Sequence, residues 1–288
     1  MCIVGQLKGT KDPKDIQFLV EKVILNLAPS QLRIAAIGVF SKLSVKERST
    51  WLERVVALMN VKRGERITPQ SSVSHRRAVR VRAIKLFGEL TENERKSIGF
   101  KDFILSIKDK KEKTVRGAAC DVVPKLSAVE RSGTLIAYAA LLNDSDSAVC
   151  QAAIENFGQL TEAERKPFVG TLVGLLKSTK RYEPTEETEI RCKACEAVGN
   201  LTPSERKDSS ALRIMLGLFK SKRPGLFLTR VAARTAFLKF SVAERADLVD
   251  SFITMVGGNE NRDLEESEEH KVALQCLLQI TYEERCVS

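Results

Sequence analysis

The sequence predicts an all-α fold: a right-handed solenoid of about seven tandem repeats with two helices each. A nine-residue phrase, which opens on an apolar residue and ends on Glu-Arg, occurs seven times, and an alanine precedes each copy by four residues. Successive alanines are 34 to 47 residues apart, with a mean of 39.5. Self-similarity with this period is typical of helical repeat arrays. The phrases span 40–48, 87–95, 123–131, 157–165, 198–206, 237–245 and 277–285, and the alanines are Ala36, Ala83, Ala119, Ala153, Ala194, Ala233 and Ala273.

Each phrase contains a Ser or Thr that is followed three residues later by Glu. This spacing is a capping box, in which the hydroxyl accepts from the third amide of the helix and the glutamate accepts from the amide of the cap. A helix, called A, therefore begins at every phrase. The seven boxes are Ser44/Glu47, Thr91/Glu94, Ser127/Glu130, Thr161/Glu164, Thr202/Glu205, Ser241/Glu244 and Thr281/Glu284.

Apolar residues at helical spacing predict a second helix, called B, before each phrase. Steps of three and four residues place these side chains on one helix face. Helix A has a similar stripe, and a polar loop such as 143–146 joins the two helices. The stripes used as examples are Val115, Ala119, Val123 and Leu126 for one helix B, Val149, Ala153, Phe157 and Leu160 for the next, and Phe168, Leu172, Leu175 and Leu176 for a helix A.

The start of helix B resembles the HEAT-repeat family, whose pattern places Val-Arg at this point. Val79-Arg80, Val115-Arg116, Ile190-Arg191 and Leu32-Arg33 match it, Thr229-Arg230 keeps only the arginine, and Val149-Cys150 and Glu269-His270 depart from it. The resemblance covers roughly residues 13–285 and implies a single solenoid over 1–288. It is silent on function, because such arrays serve many assemblies. The expected repeats are 13–43, 44–90, 91–126, 127–160, 161–201, 202–240 and 241–280, with 281–288 starting an uncompleted helix.

Composition narrows the function classes. The net charge of +10 favours an acidic partner, either an acidic protein surface or a nucleic acid. Seven cysteines without a disulfide-framework spacing indicate a reducing, intracellular location, cytoplasmic or nuclear. The longest apolar runs are too short to span a bilayer. Neither a nucleophile–base pair nor a glycine-rich phosphate loop occurs, so we expect no enzyme activity and no cofactor.

Loops within the repeats are rich in lysine and arginine and are predicted to lie along one edge of the solenoid. The alternative is that they are lysine-rich only because such loops are solvated. Three long loops are expected, at 60–78, 178–189 and 257–270, and the last is acidic. The predicted partner-binding residues are Lys62, Arg63, Arg66, Arg76, Arg77, Lys110, Lys111, Lys113, Lys180, Arg181, Lys222, Arg223 and Phe227.

Several other residues have a structural interpretation. The arginines in the first turns of helices A and B oppose the helix dipole, so we expect each to have an acidic or carbonyl partner in a neighbouring repeat. Cys192 and Cys195 have zinc-like spacing but no second pair, and are interpreted as small core residues. Trp51, with Val55 and Leu58, is interpreted as core. Phe227 belongs to an apolar stretch, 224–228, that either starts helix B or anchors a partner.

The sequence thus predicts a non-catalytic scaffold that holds an acidic protein partner on its loop edge and concave surface. A nucleic-acid-binding protein that contacts phosphates through the basic loops is the alternative. The half-covered last helix B gives two further interpretations: a fragment of a longer array, or head-to-tail self-association of basic loops with the acidic loop.

Overall fold

The chain is an all-α solenoid of tandem repeats, as predicted. The computed structural model describes residues 13–25, 30–60, 73–177, 182–208, 210–219 and 226–246, and single residues at 253, 274 and 278. Within these ranges every regular element is a helix. Two compact units, unit 1 (Met1–Leu141) and unit 2 (Leu142–Ser288), are described separately below. The hand of the superhelix and the exact repeat bounds stay predictions.

Unit 1 contains ten described α-helices. A π-helical segment, Leu19–Leu25, continues the first of them. Short 3₁₀ segments, Ala57–Asn60 and Val123–Lys125, follow the fourth and the eighth. The helices are α1 (Pro13–Phe18), α2 (Ser30–Phe40), α3 (Val45–Ser49), α4 (Leu52–Val56), α5 (Val73–Glu89), α6 (Glu92–Ile98), α7 (Lys101–Ile107), α8 (Lys113–Cys120), α9 (Ala128–Ser132) and α10 (Leu135–Leu141).

Unit 2 contains eight described α-helices. A 3₁₀ segment, Lys166–Phe168, lies between the second and third of them. The helices are α11 (Ser147–Phe157), α12 (Glu162–Arg165), α13 (Val169–Gly174), α14 (Pro184–Gly199), α15 (Pro203–Asp208), α16 (Ala211–Phe219), α17 (Phe227–Phe237) and α18 (Val242–Ala246). None of the described helices is long and apolar enough to cross a membrane.

The predicted capping boxes are confirmed at the first six phrases, and the seventh lies outside the described residues. At Thr91, for example, the cap amide donates to Glu94 Oε2 over 2.9 Å, and the Glu94 amide donates to Thr91 Oγ1 over 3.4 Å. The other five boxes have the same pair of hydrogen bonds. The capping residues therefore fix where each helix A begins.

Helix A differs from the prediction, because each of the five copies described between residues 45 and 219 is divided into two short helices. At three of the bends an aromatic residue, Trp51, Phe100 or Phe168, has ψ between −8° and −2°, outside the α-helical range. Gly99 ends α6 at φ 75°, a left-handed conformation that favours glycine. The bend leaves Trp51 half-buried under the Arg54 guanidinium, so Trp51 is not a full core residue, although Val55 and Leu58 are buried.

The helices B form the centre of each unit. In unit 1, α2 packs against α5 and α5 against α8; in unit 2, α11 packs against α14 and α14 against α17. Two of these helices approach closely at Gly199, where an added β-carbon would lie 2.9 Å from the Cα of Ala236. The alanines that mark the repeat are completely buried at every described position: Ala36, Ala83, Ala119, Ala153, Ala194 and Ala233.

Candidate partner-binding surface

The arginine that ends each phrase has a structural role. Arg48 donates through Nε to Glu94 Oε1 over 2.5 Å and through Nη2 to Glu94 Oε2 over 2.8 Å, and Glu94 is the capping glutamate of the next repeat. Nη1 of Arg48 also donates to the Ser41 and Leu43 carbonyls at the end of its own helix B. The same bidentate pair recurs at Arg95–Glu130, Arg165–Glu205 and Arg206–Glu244.

These four pairs, called the Arg–Glu ladder, confirm the prediction of an acidic partner in the neighbouring repeat. Burial by itself raises the pKa of Glu94, but hydrogen bonds from Arg48 and the Thr91 cap outweigh it and lower that pKa to about 2. The pKa of Glu244 is likewise about 2, because bonds from Arg206 and Ser241 outweigh its burial. Both partners are used in the fold, so the ladder is not a ligand site.

At the start of helix B the predicted neighbouring partner is found for Arg80, which pairs with Asp109 of the following repeat, whereas Arg33 bonds within its own repeat. Arg33 Nε donates to the Ile24 carbonyl over 2.8 Å, and Arg80 Nε donates to the Met59 carbonyl over 2.6 Å. Cys150, which departs from the family pattern, makes the equivalent bond from Sγ to the Leu142 carbonyl over 3.0 Å. The helix before B ends close to the start of B, so its last carbonyls are the nearest acceptors.

The basic loop between α7 and α8, residues 108–112, is ordered by Asp109. Oδ1 of Asp109 accepts from the amides of Lys111 and Glu112, both over 2.9 Å. Oδ2 accepts from Arg80 Nη2 over 2.6 Å. The Asp109 carbonyl accepts from Arg116 Nη1 over 2.8 Å. Two helices B, α5 and α8, thus hold one aspartate, and the loop conformation follows from it.

The lysines around Asp109 point to solvent. The side chains of Lys108, Lys110, Lys111 and Lys113 are all exposed. One acidic residue, Glu112, lies between these lysines in the sequence, and its carboxylate pairs with Arg77 Nε over 2.6 Å. The result is a patch of fixed positive charge, called the basic patch and consisting of Arg76, Arg77, Lys108, Lys110, Lys111 and Lys113.

The structure places five of the thirteen predicted site residues in the basic patch: Arg76, Arg77, Lys110, Lys111 and Lys113. Arg76 and Arg77 lie on α5 and not in a loop, because that helix begins at Val73. Phe227 lies in unit 2, where it begins α17. The remaining residues lie outside the described part of the chain, as does the acidic loop 257–270: Lys62, Arg63, Arg66, Lys180, Arg181, Lys222 and Arg223.

The second long loop is also shorter than predicted, because α14 begins at Pro184. Proline suits the first helical turn, and Glu186 and Glu187 in that turn favour the positive end of the helix dipole. The loop 143–146 between α10 and α11 carries no lysine. There the Asp144 carboxylate accepts from the Asp146 amide over 2.9 Å.

Sequence reasoning missed Asp109 and Arg80 as the residues that order the basic patch. An aspartate two and three residues before the amides that donate to it is a recognised turn signal, and it was available in the sequence. The ion pair with Arg80 was not, because 29 residues separate the two side chains.

Of the two cysteines interpreted as core residues, Cys195 is buried as predicted, whereas Cys192 is only half-buried. Cys120 and Cys150 are also buried. Burial raises the pKa of the Cys195 and Cys192 thiols, which keeps both protonated at neutral pH. No group of three or more His, Cys, Asp or Glu side chains suited to a metal ion occurs among the described residues.

The chain has distant structural likenesses to designed and engineered proteins. No protein-family model and no curated protein matches its sequence. It is similar to a designed armadillo repeat protein in complex with peptide (KR)4, with 15% identity, a TM-score of 0.47, and coverage of 79% of this chain and 100% of that one. An engineered protein has 15% identity and a TM-score of 0.43, over 80% of this chain and 96% of its own. A second designed armadillo repeat protein has 14% identity and a TM-score of 0.42, over 81% and 98%. These likenesses are too distant to indicate what the chain binds.

Proposed function

We propose that the chain is a non-catalytic binding scaffold and that the basic patch holds an acidic segment of a protein partner. The observation that carries this proposal is the set of hydrogen bonds that hold the half-buried Asp109. Because Arg80 and two backbone amides hold its carboxylate, the aspartate orders the loop and the neighbouring lysines keep their charge at the surface. Ordering the loop before binding lowers the entropy lost when a partner binds.

The patch favours a protein partner over a nucleic acid. Single-stranded nucleic acids are held by aromatic side chains that stack on bases between the phosphate contacts. Residues 108–113 contain no aromatic residue, and the phenylalanine of α5, Phe87, is completely buried and stacked on Phe103. Lysines without stacking platforms suit carboxylates spaced along an acidic peptide.

Reversing charge in the basic patch tests the proposal. The variant is Lys110→Glu with Lys111→Glu, and the control is Lys42→Glu with Lys46→Glu, two exposed lysines of unit 1 outside the patch. The probes are a fluorescent decaglutamate peptide and a single-stranded oligonucleotide of equal charge, both followed by anisotropy. Rim ion pairs contribute roughly 0.2–1 kcal/mol each, so we expect about tenfold weaker peptide binding by the patch variant and little change in the control.

Equal binding by both variants would overturn the assignment to the basic patch. Tighter binding of the oligonucleotide, with the steeper salt dependence that counterion release gives, would support the nucleic-acid alternative instead. Circular dichroism of both variants provides the check that the helices are intact.

A further inference from the structure

Thr114, the second residue of α8, carries a hydroxyl among the cations of the basic patch. Its side chain is exposed, whereas the next residue along the helix, Val115, is completely buried. Among the described residues the Thr114 hydroxyl forms no hydrogen bond. Thr114 therefore presents an oxygen nucleophile that the fold does not use. Other exposed hydroxyls of unit 1 donate to the backbone: Ser49 to the Lys46 carbonyl, Ser97 to the Glu94 carbonyl and Ser132 to the Val129 carbonyl.

Lysines precede this hydroxyl in the chain. Lys110, Lys111 and Lys113 stand four, three and one residues before Thr114, and all three are exposed. Asp109 orders the loop that carries the first two of these lysines, because its carboxylate accepts from two loop amides over 2.9 Å. The one glutamate of this run is paired with an arginine of α5. An enzyme with an acidic substrate groove would recognise such a segment by its charge.

Thr185 is the matched residue of unit 2. It is also exposed, it is the second residue of its helix, α14, and its hydroxyl likewise forms no hydrogen bond within the described ranges. Its neighbours in the sequence are carboxylates: Glu183, Glu186 and Glu187. The two threonines share exposure and helix position and differ in the sign of the surrounding charge. A kinase that selects its substrates by charge therefore distinguishes them.

We propose that Thr114 is a phosphorylation site, through which a protein kinase that prefers cationic substrates switches off the basic patch. The inference rests on the proposed function, because it concerns the regulation of that patch. In the transfer, Thr114 Oγ1 forms a bond to the γ-phosphorus of a nucleoside triphosphate, while the bond from that phosphorus to the β–γ bridging oxygen breaks. The nucleoside diphosphate leaves, and the hydroxyl proton passes to the catalytic base of the kinase.

The phosphoryl group changes the charge of the basic patch and leaves the helix intact. It brings a charge of about −2 at neutral pH into a patch of six cations. Lysines that pair with the phosphoryl group are no longer open to the carboxylates of a partner. At the start of α8 the group has the sign that the helix dipole favours, so the helix is not destabilised. Phosphorylation therefore releases an acidic partner from a chain that stays folded.

The test treats the full chain with the catalytic domain of protein kinase C and ATP. Mass spectrometry of the intact chain and of its proteolytic peptides locates the phosphate, which we expect on Thr114 and not on Thr185. Anisotropy with the fluorescent decaglutamate peptide should then show about fivefold weaker binding, because a dianion offsets about two rim ion pairs. The circular dichroism of the phosphorylated chain should match that of the unmodified chain.

Three variants provide the controls. Thr114→Ala should bind the decaglutamate peptide like the wild type, and kinase treatment should leave its affinity unchanged, which excludes an effect of phosphate at other positions. Thr114→Glu introduces a single negative charge and should weaken peptide binding about twofold without the kinase. Thr185→Glu places the same charge at the matched position of α14 and should leave peptide binding unchanged.

Two results would overturn the inference: a kinase-treated chain without phosphate on Thr114, or a chain phosphorylated there that binds the peptide as tightly as the unmodified chain. In both cases the proposed function stands if Lys110→Glu with Lys111→Glu still weakens peptide binding. If the unmodified chain does not bind the decaglutamate peptide, the proposed function itself fails, and the inference fails with it.

Discussion

The two longest described helices, α5 in unit 1 and α14 in unit 2, occupy equivalent positions and have opposite charge. In α5 there are five basic residues and one acidic residue, whereas α14 has four acidic residues and two basic ones. The first turns of α14 have the sign that the helix dipole favours. The first turns of α5 carry positive charges, which the dipole disfavours. They are stabilised by carboxylates outside the helix, because Glu112 pairs with Arg77 and Asp109 with Arg80.

The comparison shows that a long helix B can be stabilised in two ways. In α14 the stabilising charges lie within the helix, so the surface around it is free to vary. In α5 the stabilising charges lie in the loop between α7 and α8, so the helix and that loop depend on each other. The basic patch is a consequence of this dependence. What the two units share is the Arg–Glu ladder, which should respond alike in both.

Acid should produce the largest effect and affect both units equally. The pKa values of Glu94 in unit 1 and Glu244 in unit 2 are about 2 in the folded chain, below the ordinary value of 4.5. A folded-state pKa that is lowered contributes stability above pH 4.5, and this is lost as the pH falls towards 2. The difference corresponds to on the order of 3 kcal/mol per carboxylate.

We therefore expect the free energy of unfolding in urea to be nearly constant above pH 5 and to fall steeply between pH 4.5 and 2. Glu94→Gln and Glu244→Gln should each flatten the fall by a similar amount. A flattening produced by only one of them would show that the ladder is not equivalent in the two units.

Overpacking of the recurrent alanine is the second test of what the units share. Ala119 in α8 and Ala153 in α11 are both completely buried. Replacing either with leucine should lower the free energy of unfolding by about 2 kcal/mol, because added methylenes force the neighbouring helices apart. Thermal and urea unfolding measure it. If either variant unfolds at the same temperature as the wild type, the close packing of the helices B is contradicted.

The smallest effect should separate α5 from α14. Asp109→Asn keeps an acceptor for the two loop amides and removes the charge that pairs with Arg80, so we expect a loss of about 1.5 kcal/mol. Glu186→Gln removes a favourable dipole charge from α14 and should cost only about 0.5 kcal/mol. Urea unfolding of both variants gives the two values, and equal losses would mean that α5 does not depend on its loop.

The starts of the helices A, the alanine stripe and the all-α class were all determined by the sequence. Capping boxes such as Thr91/Glu94 act over three residues, and helical periodicity acts over one or two turns, so both can be read from neighbouring positions. The cationic residues Lys110, Lys111 and Lys113 were also predicted, since the charge of a side chain follows from its residue type.

The tertiary structure alone decided which partners those residues have. Arg48 pairs with Glu94 and Arg80 with Asp109, over 46 and 29 residues respectively, and no local pattern selects one acidic side chain from the others at such separations. The bend at Phe100, where the ring meets Phe87 edge-on, also depends on packing between helices. Phe227 is a similar case: its sequence stretch fits a helix start and a partner anchor alike, and the structure shows that it begins α17.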